Sequence, residues 1–157
     1  MSRHEPIGLL IAAVRRRLKQ SVSTLSGDIG VSPQQFWTIV GIAEHEGLSL
    51  GELAAQRYMD QPTACRIVAS LTRRRLLRSR RDPADRRRTL LELTASGREL
   101  ALRCLPVAER VRTAVEGALE PAECEALATG LQKIITNLER LDAGIAPVSP
   151  GRLTRVE

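Results

Sequence analysis

The stretch RRRLLRSRRDPADRRRTLLELT, residues 73–94, places nine arginines in twenty-two positions. A free basic arm needs neither a turn nor a strand, and this stretch contains both. Asp82-Pro83-Ala84-Asp85 is turn chemistry, because proline fixes φ and aspartate bonds the nearby backbone. After it, Thr89, Leu91 and Leu93 alternate with Arg88, Leu90 and Glu92, and a period of two with β-branched and apolar residues predicts a strand. Residues 77–94 therefore read as a β-hairpin whose arginines flank its tip.

Charge is concentrated here. Residues 66–88 hold ten arginines against two aspartates, a net +8 in a chain whose total is +6, so the remainder is close to neutral at −2. A near-neutral body with one cationic stripe is the footprint of a polyphosphate binder.

The segments before the hairpin have helical periodicity. Ile7, Leu10, Ile11, Val14 and Leu18 predict an amphipathic helix over 7–20, stopping in the polar stretch 20–28. Ser32-Pro33-Gln34-Gln35 is a helix start with cap, first-turn proline and capping-box glutamine. Phe36, Ile39, Val40 and Ala43 form its inward stripe, and Gly47 is expected to end it. Ser49 opens a shorter helix with Leu50, Leu53 and Ala54 inward, running to about Tyr58. Asp60 caps another over 60–74, with Ala64, Ile67, Val68 and Leu71 at core spacing. The opposite face of that helix carries Arg66 and Arg73, flanked by Thr63, Cys65 and Ser70, with Gln61 in the first turn. Two short helices joined by a tight turn, the second with a slim, polar, cationic outer face, follow helix-turn-helix logic.

Thr94 caps a helix over 95–117, with Leu100, Cys104, Val107, Val111 and Val115 inward and a kink expected at Pro106. Pro121 starts a last helix with a stripe of Leu127, Leu131, Ile134, Leu138 and Leu141. The tail from residue 143 is rich in Pro and Gly and is expected to be loose. A total of 157 residues with 43% hydrophobic content suits one compact protomer, and 2% aromatics makes its core aliphatic. The expected fold is mainly α with a small β-wing: a winged helix-turn-helix lobe at 32–94, and a dimerisation region built from residues 1–31 and 95–142.

With the order of elements on the page, Asp85-x-Arg87, five residues, then Leu93-Thr94-x-x-Gly97 resembles the MarR family of winged-helix regulators. Asp82-Pro83 and Leu53-Ala54 fit the same pattern, and the likeness covers about 7–141. It implies a homodimer on duplex DNA, with the recognition helix at 60–74 in the major groove and the 77–94 wing in the minor groove. Thr63, Cys65 and Arg66 match positions that face DNA. Arg86 matches the minor-groove reader, beside Arg87 and Arg88, and Asp85 would be the acid that orients the Arg87 guanidinium. The family carries glycine near Tyr58-Met59 and at Arg75, so arginine at 75 must either avoid positive φ or accept strain. The resemblance also implies a cleft for a small, aromatic or phenolic effector, for which Trp37, Val40 and Arg16 are the candidates.

Other chemistries find little support. There is no phosphate-binding loop, no G-x-S-x-G and no paired carboxylates in a glycine-rich setting, so an enzyme is not expected. His4 and His45, even beside Glu44 or Glu46, lack a third spaced ligand, and no metal or other cofactor is expected. Three widely spaced cysteines fit neither a disulfide framework nor a zinc site. Cys65 on the outer face suggests thiol oxidation as an alternative trigger, whereas the family's peroxide sensors carry their cysteine in the N-terminal helix, where 7–20 has none. No apolar run reaches membrane-spanning length and Met1–Glu5 lacks a cleavage pattern, so a cytoplasmic protein without a membrane partner is expected. The functional alternative is a sequence-indifferent architectural or RNA-binding module whose arginines read only phosphates.

Overall fold

The computed structural model describes residues 6–145. His4 and most of the expected loose tail lie outside the described residues. The chain runs α1 (Ile7–Ser26), a 3-10 turn (Gly27–Ile29), α2 (Pro33–Glu44), α3 (Leu50–Gln56), α4 (Gln61–Arg73), β1 (Leu77–Arg81), β2 (Thr89–Leu93), α5 (Ala95–Glu116) and α6 (Pro121–Asp142). It is mostly helical with one two-stranded antiparallel sheet. Residues up to Thr113 form one compact unit and those from Ala114 onward a second.

In the first unit, Phe36, Ile39, Val40, Leu53, Leu71 and Leu77 are fully or almost fully buried in a single aliphatic core. Each such side chain contributes roughly 1.5–3 kcal/mol by leaving water. The expected starts of α2, α3 and α4 are all present. Ser32 and Ser49 make complete capping boxes with Gln35 and Glu52, and Asp60 accepts from the Thr63 amide. The hairpin register pairs Leu77 with Leu93, Arg78 with Glu92 and Arg81 with Thr89.

Four expectations need correction. Helix α1 runs on to Ser26, because Val22 and Leu25 extend its stripe through the polar stretch, Val22 being completely buried. Helix α2 stops at Glu44, and Gly47 turns the following loop at φ +78°. In β2 Leu90 is buried and Thr89 exposed, so alternation fails there. A bridge from Ser49 to Leu90 and a bond from the Leu91 amide to the Leu48 carbonyl cover that side of the strand. On α5 the buried set is Gly97, Leu100, Ala101, Cys104, Ala108 and Val111, while Val115 is exposed. Small residues take the tight face, which shifts the stripe away from Val107.

Gly97 explains the last position of the Leu-Thr-x-x-Gly motif. A Cβ there would sit 2.0 Å from the Leu76 carbonyl oxygen. The Thr94 hydroxyl accepts from the Gly97 amide at 3.0 Å and donates to the Arg75 carbonyl at 2.6 Å. Start of α5 and foot of the wing are thereby fixed together. In the second unit α6 buries none of its residues, and Leu127, Leu138 and Leu141 are each more than half exposed.

Candidate nucleic-acid interface

The outer face of α4 is organised from its cap. Asp60 Oδ1 accepts from the Thr63 amide at 2.7 Å and Oδ2 from the Thr63 hydroxyl at 2.8 Å. The Thr63 amide is also the main reason the Asp60 carboxyl stays below its ordinary range. Thr63 in turn accepts from the Arg66 guanidinium at 3.0 Å, which holds that cation in one pose. Gln61, Cys65, Arg66 and Arg73 are exposed, while Ala64, Ile67 and Leu71 seal the other face. Ser70 is different: its hydroxyl accepts from Gln35 Nε2 at 3.0 Å and ties α4 to α2.

The arginines divide into holders and free cations. Arg74 donates to the Gly30 carbonyl at 2.9 Å. Arg78 and Arg80 both pair with Glu92 across the strands, which keeps the Glu92 carboxyl low, with Arg80 the larger influence. Arg88, expected among the DNA contacts, reaches back to Glu52 at 2.6 Å and lies 3.8 Å from Asp82. Arg73, Arg75, Arg81, Arg86 and Arg87 are exposed and make no ion pair among the described residues. Asp85 acts on backbone: its Oδ1 accepts from the Arg87 amide at 2.9 Å, where a bond to the guanidinium was expected. Asp82 likewise accepts from the Ala84 amide at 2.8 Å, and the Asp82 amide closes the loop onto the Arg88 carbonyl. Two aspartate turns thus shape a tip that carries Arg86 and Arg87 outward.

Glu52 is the residue that sequence reasoning missed. It caps α3 through the Ser49 amide and receives Arg88, and these bonds, Ser49 first, bring its carboxyl down to about 2. The Ser-x-x-Glu spacing at 49–52 was the available signal. This carboxylate ties Arg88 of the wing to the start of α3, beside the backbone bond from the Leu91 amide to the Leu48 carbonyl.

Among the described residues, Tyr58 and Arg75 are the positive-φ residues other than glycine, at +49° and +57°. They are the positions where the family pattern has glycine. Arginine at 75 therefore accepts the left-handed conformation, and the two strained residues bracket α4.

The expected effector residues lie at different depths. Val40 is completely buried, and Arg16 is exposed on α1. The guanidinium over the Trp37 ring, 5.3 Å from its centroid, belongs to Arg57, which also donates to the Trp37 carbonyl at 2.8 Å. Phe36 meets Trp37 edge-on at 5.1 Å. Partial burial lowers the Arg57 pKa from its ordinary value. Arg57 lies in a sequence segment that offered no periodic or motif signal for it. His45 pairs with Gln56 and Glu44 with Arg112. Among the described residues no group of three His, Cys, Asp or Glu is placed to hold a metal, and no helix is long and apolar enough to cross a membrane.

A family model described as the MarR family matches residues 29–88, the span from the end of the 3-10 turn through the wing tip. The HTH-type transcriptional repressor NicR of Pseudomonas putida is 30% identical over 135 residues, which are 86% of this chain and 85% of that protein. The structure of Bordetella bronchiseptica BpsR, solved to explain how 6-hydroxynicotinic acid regulates its DNA binding, superposes with a TM-score of 0.67 at 30% identity. That match covers 83% of this chain and 98% of BpsR. The Staphylococcus aureus MepR–DNA complex, at 21% identity and a TM-score of 0.71 over 85% of this chain and 98% of that one, shares the fold. The chain belongs to the MarR family of winged helix-turn-helix transcriptional regulators, and it is a regulator rather than an enzyme.

Proposed function

We propose that the protein is a cytoplasmic homodimeric repressor that binds a pseudo-palindromic operator and is released by a small organic acid. The observation that carries the reading is the sorting of arginines. Arg66 is fixed by Thr63 on the outer face of α4, and Arg86 and Arg87 project from a tip shaped by two aspartate turns. Gln61, Thr63, Cys65, Arg66 and Arg73 meet the major groove, and Arg86 and Arg87 the minor groove. Arg88 and Ser70 serve by holding the wing and α4 in place. The apolar stripe of α6 and the N-terminal part of α1 (Ile7, Leu10, Val14), exposed in the single chain, provide the dimer surface. Residues 1–31 and 95–142 form the dimerisation region and 32–94 the DNA-binding lobe. NicR is a repressor and BpsR answers to 6-hydroxynicotinic acid, which supports repression and an aromatic acid as effector.

The test is selection from random duplex DNA at physiological salt. Two related recognition helices require half-sites about one helical turn apart, and a regulator prefers its site by roughly 10³-fold or more. Recovery of a two-fold-symmetric motif is the expected result. Retained binding with no motif would replace this reading with a phosphate clamp on any duplex or RNA.

A further inference from the structure

The turn between α3 and α4 decides how α4 is aimed. Arg57 caps the end of α3, Tyr58 and Met59 reverse the chain, and Asp60 caps α4. The amides of Tyr58 and Met59 return to the Ala55 and Ala54 carbonyls at 3.2 and 2.9 Å. Tyr58 makes the reversal in the left-handed conformation, at φ +49°. Such a backbone persists only where its surroundings over-determine it.

The Arg57 side chain supplies that constraint. Its stem crosses α2 at Gly41, where a Cβ would lie 3.6 Å from the Arg57 Cδ. Its guanidinium donates to the Trp37 carbonyl at 2.8 Å and sits 5.3 Å from the centroid of the Trp37 ring. Buried Phe36 meets that ring edge-on and so fixes the seat. Glu44, at the end of α2, attracts the same cation. Arg57 is half-buried, and reduced hydration strengthens both the stacking and the hydrogen bond. Next to it Gln56 pairs with His45 at 3.0 Å. The far end of α4 is tied separately, through Ser70 to Gln35 and through Arg74 to the Gly30 carbonyl. At the near end Met59 packs on the core, but apolar packing has no direction. The bond from Arg57 to Trp37 has one.

We propose that Arg57 is a positioning residue for sequence recognition: seated on Trp37, it sets the Tyr58 turn and thereby the angle at which α4 enters the major groove. Arg57 acts through the turn and touches no DNA. The consequence for recognition rests on the operator reading above, whereas the hold on the turn stands by itself.

The test compares wild type, Arg57→Met and Arg57→Lys, each on the selected operator and on a scrambled duplex of equal length. Arg57→Met should lower the ratio of the two affinities by about tenfold, the worth of one well-placed base contact. Its salt slope should be unchanged. A variant that is only less stable loses active protein equally on both duplexes and keeps the ratio. Arg57→Lys keeps a cation for the ring and a donor for the carbonyl, so part of the ratio should return. It carries the same comparison, with a smaller loss, if the methionine variant does not fold. Two readouts need no DNA. The emission of Trp37, the one tryptophan of the chain, should change in Arg57→Met, and the Met59 and Thr63 amides should shift in NMR spectra. A wild-type ratio, a salt slope lower by about one counterion, or unmoved emission and amides would overturn the proposal. If wild type selects no operator, the repressor reading falls, and the amides decide whether Arg57 holds the turn. If an operator is found and both variants discriminate as wild type does, the Arg57 inference alone falls.

Discussion

At position 75 an arginine occupies a conformation that costs an L-residue roughly 1–2 kcal/mol, at φ +57°. Glycine removes that strain but loses about 0.5–1 kcal/mol of chain entropy on folding. Arg75→Gly should therefore raise the unfolding free energy by about 0.5–1 kcal/mol, read as a higher urea midpoint at unchanged slope. Gly97→Ala should act in the opposite sense. Its Cβ meets a backbone oxygen at 2.0 Å, which cannot rotate away, so a loss of about 3 kcal/mol or more is expected in the same assay. Both positions were marked in the sequence, one by a motif and one by a departure from it. Only coordinates show why: the motif glycine permits close approach of α5 to the wing foot, and the departure is a backbone under strain. Val40 shows the converse. Its helical spacing announced burial, and it is completely buried in the single chain.

At the scale of elements, the wing separates contact from support. Arg86→Ala should weaken operator binding by about 1–3 kcal/mol and reduce the salt dependence by about one counterion. Glu52→Gln should weaken binding too, but with the salt slope unchanged, since no cation that touches DNA is removed. Unchanged affinity and slope in Glu52→Gln would mean that the Arg88–Glu52 pair does not hold the wing. The Glu52 carboxyl has a folded pKa below its ordinary 4.5, so its contribution is complete above that value and is lost as pH falls toward about 2. An NMR titration of the Glu52 carboxyl should give a midpoint near 2, with the Arg88 and Leu91 amides shifting together with it. A midpoint near 4.5 would mean that the anchor is not formed in solution. Hairpin and helix starts were legible because caps, proline and alternation are local signals. The bond between Arg88 and Glu52 was not, because it joins residues 36 apart and nothing local to either one names the other.

Across the whole molecule, the second unit poses the largest energetic demand. A helix of 22 residues with none fully buried has little burial within its own chain to offset its ordering. The exposed Leu127, Leu138 and Leu141 are expected to gain that contact from a second chain. Light scattering at micromolar concentration should give twice the 17.3 kDa chain mass, and Leu138→Glu should shift it toward the single-chain value. The apolar period of α6 was plain in the sequence, whereas its partner was not, because a stripe looks the same whether it faces its own core or another copy. The arginines carry a last consequence. A cation already neutralised within the protein displaces no condensed ion from a duplex and so adds nothing to the grip on unrelated sequence. With Arg78 and Arg80 sharing the Glu92 carboxylate and Arg88 held by Glu52, two of these charges are offset within the protein, which is expected to leave wrong sites sooner than its raw charge implies and to search a genome correspondingly faster.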